Sequence, residues 1–307
     1  MLYLGQTIYR SVASKLQKSL GYFQTKGVPK HEIVEGRYIV KFASTADEID
    51  AALRLRFEVF NLELNEGLES SFLTGRDQDE FDSNCHHLIV IEKESGKVVG
   101  TYRLQTLELA KSVYNFYSAG EFEIEKIPIG ILKQSVEIGR ACIAREHRNN
   151  RVLFLLWKGL ALYLSLKKKR YFFGCCSIPT LDVIEGLKAF ERLKKEKRFH
   201  PTLRIQPRSE YVCKSEVVPD DSQVQLPKLF NTYLRIGAKV CSEPAIDRQF
   251  KTIDFFVIFD AETIEKRYYD MFFKDFENLR RKKLYKLLTP TKFLKGYRRK
   301  YSEHLLC

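Results

Sequence analysis

Glu137-Ile138-Gly139-Arg140 puts a carboxylate and a guanidinium three residues apart on what reads as one strand. Such residues can accept a proton from an attacking group, grip a substrate carboxylate and donate to a developing oxyanion. Glutamate suits the first task, and arginine, with its two parallel N–H groups, suits the second. A second run, Gly100-Thr101-Tyr102-Arg103-Leu104, supplies another arginine on a neighbouring strand-like segment. Arg103 and Arg140 could together present the fork, with Glu137 taking a proton directly or through water. Strand alternation sends Glu137 and Gly139 to one face and Ile138 and Arg140 to the other. Glu137 and Arg140 therefore share a site only if a bulge re-aims one of them. A structural Glu–Arg pair is the competing reading.

Other clusters carry their own chemistry. In Asp79-Glu80-Phe81-Asp82, Asp79 and Asp82 could hold the substrate amine or order a loop over the site, and Arg56 could pair with Asp82 or face solvent. An arginine-rich loop, Arg145-Glu146-His147-Arg148-Asn149-Asn150-Arg151, opens a helix and so offers outward N–H groups to an anion. Arg145, Arg148, Arg151 and Lys158, with the run Lys167–Arg170, form a basic face suited to an acidic partner. Cys85-His86-His87 has no second ligand pair at zinc spacing, so no metal is expected. Cys175-Cys176 reads as packing. Trp157 and Tyr163 read as core, with Tyr163 alternatively a proton donor to a leaving thiolate.

The elements that must position these residues follow from periodicity. Thr45 and Glu48 form a capping box for a helix over Ala46–Asn61, whose apolar stripe is Ile49, Ala52, Leu53, Phe57 and Phe60. Tyr38–Ala43 alternates as a strand, and residues 62–84 read as an acidic loop. His87–Glu92 and Val98–Leu107 form a hairpin around Gly96. Val136–Ala144 and Phe172–Ser177 are strands flanking a helix over Val152–Leu166. Helices over Thr180–Lys197 and Leu229–Ile236, a buried strand over Ile253–Phe259 and a helix over Ala261–Phe273 complete the order. The expected class is α/β, a mixed sheet with helices on its faces.

Apolar residues make up 44% and aromatics 13% of the 307 residues, ample for a packed core. No run is long and apolar enough to span a bilayer, no secretory signal is visible, and seven scattered cysteines suit a reducing compartment. The net charge of +13 sits at the ends. Residues 1–30 hold five Lys/Arg and no acid, and residues 280–307 hold ten Lys/Arg with only Glu303. The span 31–279 is close to neutral. A short basic helix over Ile8–Phe23 and a tail with Leu284, Leu287, Leu288, Phe293 and Leu294 suit an anionic membrane surface.

From Ile143 to Leu156 the spacing resembles the acceptor loop of the GNAT acyltransferases, with Arg148 in the arginine place but Arg151 and Leu153 in the two glycine places. A closer resemblance is to the ornithine-lipid and N-acyl amino acid synthase group of that superfamily, related to the acyl-homoserine lactone synthases. It rests on Leu55–Phe60, Asp79–Asp82 with Cys85 and His87-Leu88, Gly100–Leu104 and Glu137–Arg140. It continues in Gly174-Cys175-Cys176-Ser177, Leu226-Pro227 through Ala238, Glu243-Pro244-Ala245 and Asp254-Phe255-Phe256.

The resemblance covers about residues 38–275. It implies a GNAT-like, mostly antiparallel mixed sheet with helices on both faces over 37–275, flanked by basic extensions at 1–36 and 276–307. It implies a bacterial N-acyltransferase that moves a long-chain 3-hydroxyacyl group from acyl carrier protein to the α-amine of an amino acid, ornithine or glycine, in aminolipid synthesis. Catalytic roles fall to Glu137, Arg140 and Arg103, substrate binding to Arg56, Asp79 and Asp82, and carrier or phosphopantetheine binding to Arg145, Arg148, Arg151 and Lys158. No cofactor is bound tightly; the acyl-[acyl carrier protein] is a co-substrate. Expected partners are that carrier, the amino acid and an anionic membrane, with no nucleic acid, and the expected place is the inner face of the cytoplasmic membrane. An acyl-homoserine lactone synthase or a CoA-dependent N-acetyltransferase is the rival enzyme. A non-catalytic basic binding protein on the same scaffold is the rival non-enzyme.

Overall fold

The computed structural model describes residues 27–215 and 224–279. The helix expected over Ile8–Phe23 and the basic tail beyond residue 279 lie outside the described residues. Nine strands form one sheet: β1 (Ile33–Glu35), β2 (Tyr38–Phe42), β3 (His86–Glu92), β4 (Val98–Thr106), β5 (Ser135–Ile143), β6 (Tyr171–Ile178), β7 (Lys239–Val240), β8 (Ala245–Asp247) and β9 (Thr252–Asp260). The order is β1-β2-β3-β4-β5-β6-β9-β7, with β8 also pairing along β9. Every pairing is antiparallel except β5 with β6. Residues 33–35, expected within the N-terminal extension, thus belong to the sheet. Phe276 and Leu279, expected in the tail, pack against the main core.

Alternation along the strands feeds two helical layers. Leu88 and Val90 point towards α4 (Asn150–Lys167), whose Gly159 lies so close to Leu88 and Val40 that a Cβ there would sit 2.7 Å from Leu88. Ile89 points the other way, towards Ile49, Ala52 and Leu53 of α1 (Ala46–Arg56). Thr45 Oγ1 accepts from Glu48 N at 3.2 Å, as the capping box requires, but Glu48 Oε2 accepts from Ser44 N rather than from Thr45 N. After Arg56 the helix widens into a π turn over Phe57–Glu63, where the expectation was a plain helix to Asn61. The C-terminal Leu64 N bonds Val59 O, and Asn61 Nδ2 is drawn off to Leu68 O at 2.8 Å.

Between β4 and β5 lie 28 residues that periodicity left unassigned. They fold as α2 (Leu107–Ala110), 3₁₀ turns over Val113–Asn115, Tyr117–Ala119 and Ile124–Lys126, and α3 (Ile129–Lys133). The segment is held by burial of Phe116, Phe122, Ile124 and Ile127 against Phe173, Phe256 and Ile258. On the far half of the sheet, α5 (Val183–Lys195) and α6 (Lys228–Ile236) cover Phe255 and Val257 of β9. The last helix, expected over Ala261–Phe273, forms only over Lys266–Phe272 as α7. Residues before it are a turn, in which Asp260 Oδ1 accepts from Glu262 N at 2.9 Å.

Candidate active site

Strands β5 and β6 pair only over Ser135–Glu137 and Tyr171–Phe173 and then part. Gly174 marks the point of parting: a Cβ there would lie 2.3 Å from Ile138 O. Beyond it a cavity of about 380 Å³ opens between the strands. Residues from both faces of the sheet line it. Tyr102, Trp157, Phe172, Tyr233 and Phe259 make one wall apolar, and Arg103, Tyr117, Glu137, Arg140 and Asp254 make the other polar. The cavity therefore passes through the sheet.

Arg140 reaches this cavity because β5 is bulged. Thr101 pairs with Cys142 and Arg103 with Gly139, so Tyr102 alone opposes Arg140 and Ala141. Arg140 adopts φ 50°, a conformation that a residue with a Cβ seldom takes. The bulge turns its side chain to the face that carries Arg103 and Glu137, the condition under which the three can share a site.

On that face three arginines interleave with three aspartates. Arg56 bonds Asp77 through Nε at 3.0 Å and Asp82 through Nη1 at 2.7 Å. Arg103 Nη1 bonds Asp79 at 2.6 Å and Asp82 at 3.3 Å. Arg140 Nη2 bonds Asp79 at 2.9 Å, and its Nε lies 3.4 Å from Asp77. Arg56, Asp77 and Asp82 are fully buried. Burial works against the charge on Arg56, and Asp82 and Asp77 more than restore it. Asp82 is held far below the usual carboxylate range against its own burial, by Arg56 first and Arg103 next. The Tyr117 ring lies against the arginines, 4.9 Å from Arg140 Cζ and 5.6 Å from Arg103 Cζ, and Phe250 lies 4.0 Å from Arg140 Cζ.

Glu137 is clamped from one side. Its Oε1 accepts from Ser118 N at 2.8 Å and Ser118 Oγ at 2.6 Å, and its Oε2 accepts from Tyr117 N at 3.0 Å. Burial pushes its pKa up against the pull of these donors. A carboxylate has about four acceptor sites, so one on Oε2 is left. Cys175 lines the cavity and donates to Ser118 Oγ at 3.6 Å, while Cys176 packs among apolar side chains.

Sequence expectation and structure thus coincide in bringing Arg56, Asp79, Asp82, Arg103, Glu137 and Arg140 together. The basic loop is placed differently. Arg148 bonds Glu63 and Ile143 O, Arg151 pairs with Glu35 at 2.7 Å, and Lys158 pairs with Asp275 at 2.9 Å. Arg145 lies near Glu63. Of the lysine run, Lys169 is buried on Glu108 and Lys133 O and Arg170 grips Asp260, so this stretch ties the fold together rather than extending a basic face. Tyr163 is buried with its hydroxyl 2.9 Å from His86 Nδ1, away from the cavity lining, as a core residue would be. Sequence reasoning missed Asp77, Tyr117, Ser118, Glu66 and Glu121. The sequence signal for Asp254 is a carboxylate inside the apolar run Ile253–Phe259.

Residues 55–158 match the family model described as an acetyltransferase (GNAT) domain. The L-ornithine N(alpha)-acyltransferase of Brucella abortus (strain 2308) is 30% identical over 246 residues, 76% of this chain and 88% of that protein. The chain belongs to the L-ornithine N(alpha)-acyltransferase family. The family member of Rhizobium meliloti (strain 1021) is likewise 30% identical, over 76% of this chain and 84% of its own. Among solved structures, a CoA-dependent acyl-homoserine lactone synthase aligns at 13% identity with TM-score 0.39, over 75% of this chain and 83% of that one. A ribosomal-protein-S5-alanine acetyltransferase from Vibrio fischeri aligns at 8% identity with TM-score 0.40, over 77% and 100% of the two chains. The fold is that of the GNAT acyltransferases, and the chain is an N-acyltransferase. Among the described residues no helix is long and apolar enough to cross a membrane.

Proposed function

We propose that the protein transfers a long-chain 3-hydroxyacyl group from acyl carrier protein to the α-amine of ornithine, the first acylation of an aminolipid. The observation that carries this reading is the cavity through the sheet, apolar on one side and ionic on the other. The thioester lies along Tyr102, Trp157 and Phe172, and the amino acid enters from the side of Arg103 and Arg140. Each of these arginines gives part of its fork to the aspartates, and the remaining N–H groups take the substrate carboxylate. The α-nitrogen attacks the thioester carbon, a C–N bond forms and the C–S bond breaks. The amine proton passes to the unused acceptor site on Glu137 Oε2 and from there to the departing thiolate, so the carrier leaves as its thiol and Glu137 returns to its starting state. Backbone N–H groups of β5 beyond Glu137 have no β6 partner and suit the oxyanion.

Two features favour a protein-borne over a CoA-borne donor. Arg151 and Leu153 stand where glycines would let a pyrophosphate approach. Asn149 Oδ1 already accepts from the Arg151 and Val152 amides at 3.1 and 3.2 Å, the N–H groups a phosphate would need. Turnover of matched long-chain acyl-[acyl carrier protein] and acyl-CoA tests this. A catalytic efficiency at least about tenfold higher on the carrier is expected, and equal efficiency removes the carrier from the reading. The basic composition of residues 1–30 and 280–307 supports a position at an anionic membrane face, where an amphiphilic product would partition. A chain ending at Leu279 should then float poorly with anionic vesicles while keeping activity, and undiminished flotation removes the tail as anchor.

A further inference from the structure

Thr252 and Asp254 of β9 and Cys175 and Ser177 of β6 face the cavity together, with Glu66 also in its lining. Asp254 and Thr252 are each 3% exposed, and the groups against the Asp254 carboxyl are the Thr252 and Ser177 side chains and Glu121, none of them a cation. Behind Asp254 stands Glu121, 4% exposed, against Asp254 and Tyr117. Buried acids held together without a cation are costly. Neighbouring Asp247 shows the contrast. It accepts from Gln249 N at 2.7 Å, Phe250 N at 3.1 Å and Tyr117 Oη at 3.0 Å. The basic residues lining the cavity are Arg103 and Arg140, and both are engaged with Asp79. Among the described residues, the acids at the Asp254 end therefore have no cation beside them.

We propose that Asp254, Thr252 and Glu66, with Glu121 behind them, are the residues that receive the side-chain ammonium of the acceptor and so determine the preference for a diamino acid. The proposal rests on the amino-acid acyl transfer argued above. An ammonium has three protons to donate, and Asp254 Oδ1, Thr252 Oγ1 and a second carboxylate supply three acceptors. Burial and mutual repulsion raise the pKa of Glu121 well above the ordinary value, and those of Glu66 and Asp254 to about 6. An arriving cation relieves that repulsion. A metal ion is the less suited occupant. Glu121, Cys175 and Asp254 do bring their ligand atoms within 4.8 Å of one another. However, the Cys175 thiol is pushed up by burial and donates to Ser118, so it is not a thiolate ligand.

The test is a comparison of L-ornithine with L-norvaline, the same skeleton without the side-chain amine, using the full chain and long-chain acyl-[acyl carrier protein]. A site built to bond a polar group rejects the analogue lacking it by large factors. The unaltered enzyme should prefer ornithine by at least about 10²-fold in kcat/KM, and Asp254→Asn should bring that ratio to within about tenfold, chiefly through the KM for ornithine. Thr252→Val, nearly isosteric, should move the ratio the same way by a smaller factor and serves if Asp254→Asn does not fold. A norvaline rate equal to that on ornithine, or a ratio untouched by both variants, overturns the subsite. Should no amino acid be acylated from any donor, the transfer reading itself fails. Calorimetric binding of ornithine but not norvaline to the free enzyme then upholds the subsite, and binding of neither overturns it.

Discussion

Ser118 gives both its amide and its hydroxyl to one oxygen of Glu137, so the carboxylate caps a 3₁₀ turn while its other oxygen faces the cavity. The pairing joins the segment between β4 and β5 to the bulged strand. Glu137→Gln keeps the shape and one accepting oxygen, but sets its NH2 against the Tyr117 amide or the two Ser118 donors. It should cut kcat by at least about 10²-fold, the scale of a lost general base. Ser118→Ala removes one donor and should cost far less. A Glu137→Gln enzyme with full kcat and an unchanged pH–rate profile would leave Glu137 with a structural role only.

Arg56 carries a stability prediction that its neighbour Arg54 does not share. Arg56→Ala leaves Asp77 and Asp82 buried without their main partner. It should destabilise by about 3–5 kcal/mol. Arg54 is exposed on Asp50, and Arg54→Ala should change stability by less than about 1 kcal/mol. Urea unfolding of the two variants beside the parent measures the difference.

Gly174→Ala tests whether the parting of β5 from β6 is what admits substrate. The new methyl meets the Ile138 carbonyl oxygen at a distance that backbone must move to relieve. A rise in KM for the acyl donor with a modest fall in melting temperature is expected. Unaltered donor kinetics would show that the strands tolerate a different spacing.

Asp254 gives a pH dependence whose sign is fixed. Its carboxyl is raised from 3.8 to about 6 in the fold, so the folded protein keeps a proton that the unfolded chain releases. The stability tied to that proton is full below about pH 4, falls as the pH rises to about 6 and stays lost above it. Asp254→Asn removes the penalty. It should melt higher than the parent at pH 8 and level with it near pH 4. A variant that melts lower at pH 8 contradicts the assignment of an unpaired acid.

Much of this site was legible in the sequence. Period-two alternation gave β2 to β5, and the Arg56–Asp82 pair was one of two options that the spacing allowed. The bulge at Arg140 was a condition that reasoning could state but not decide, because register depends on the partner strand. Tyr117, Ser118 and Glu121 were beyond reach for a different reason. Their turns are too short to show a period and are shaped by Phe116, Phe122 and Ile124 finding places against β6 and β9. The π turn after Arg56 was hidden similarly, since it depends on Asn61 meeting a carbonyl seven residues away.

The segment between β4 and β5 has a bearing on how such an enzyme diversifies. It supplies Tyr117 and Ser118 to the polar wall of the cavity, while the apolar wall comes from β4, α4, β6, α6 and β9. β9 serves both walls, sending Thr252 and Asp254 to one face and Phe259 to the other. On the proposed reading, a substitution at Thr252 or Asp254, or in the turns of residues 107–134, can change which amine is accepted while leaving the apolar wall intact.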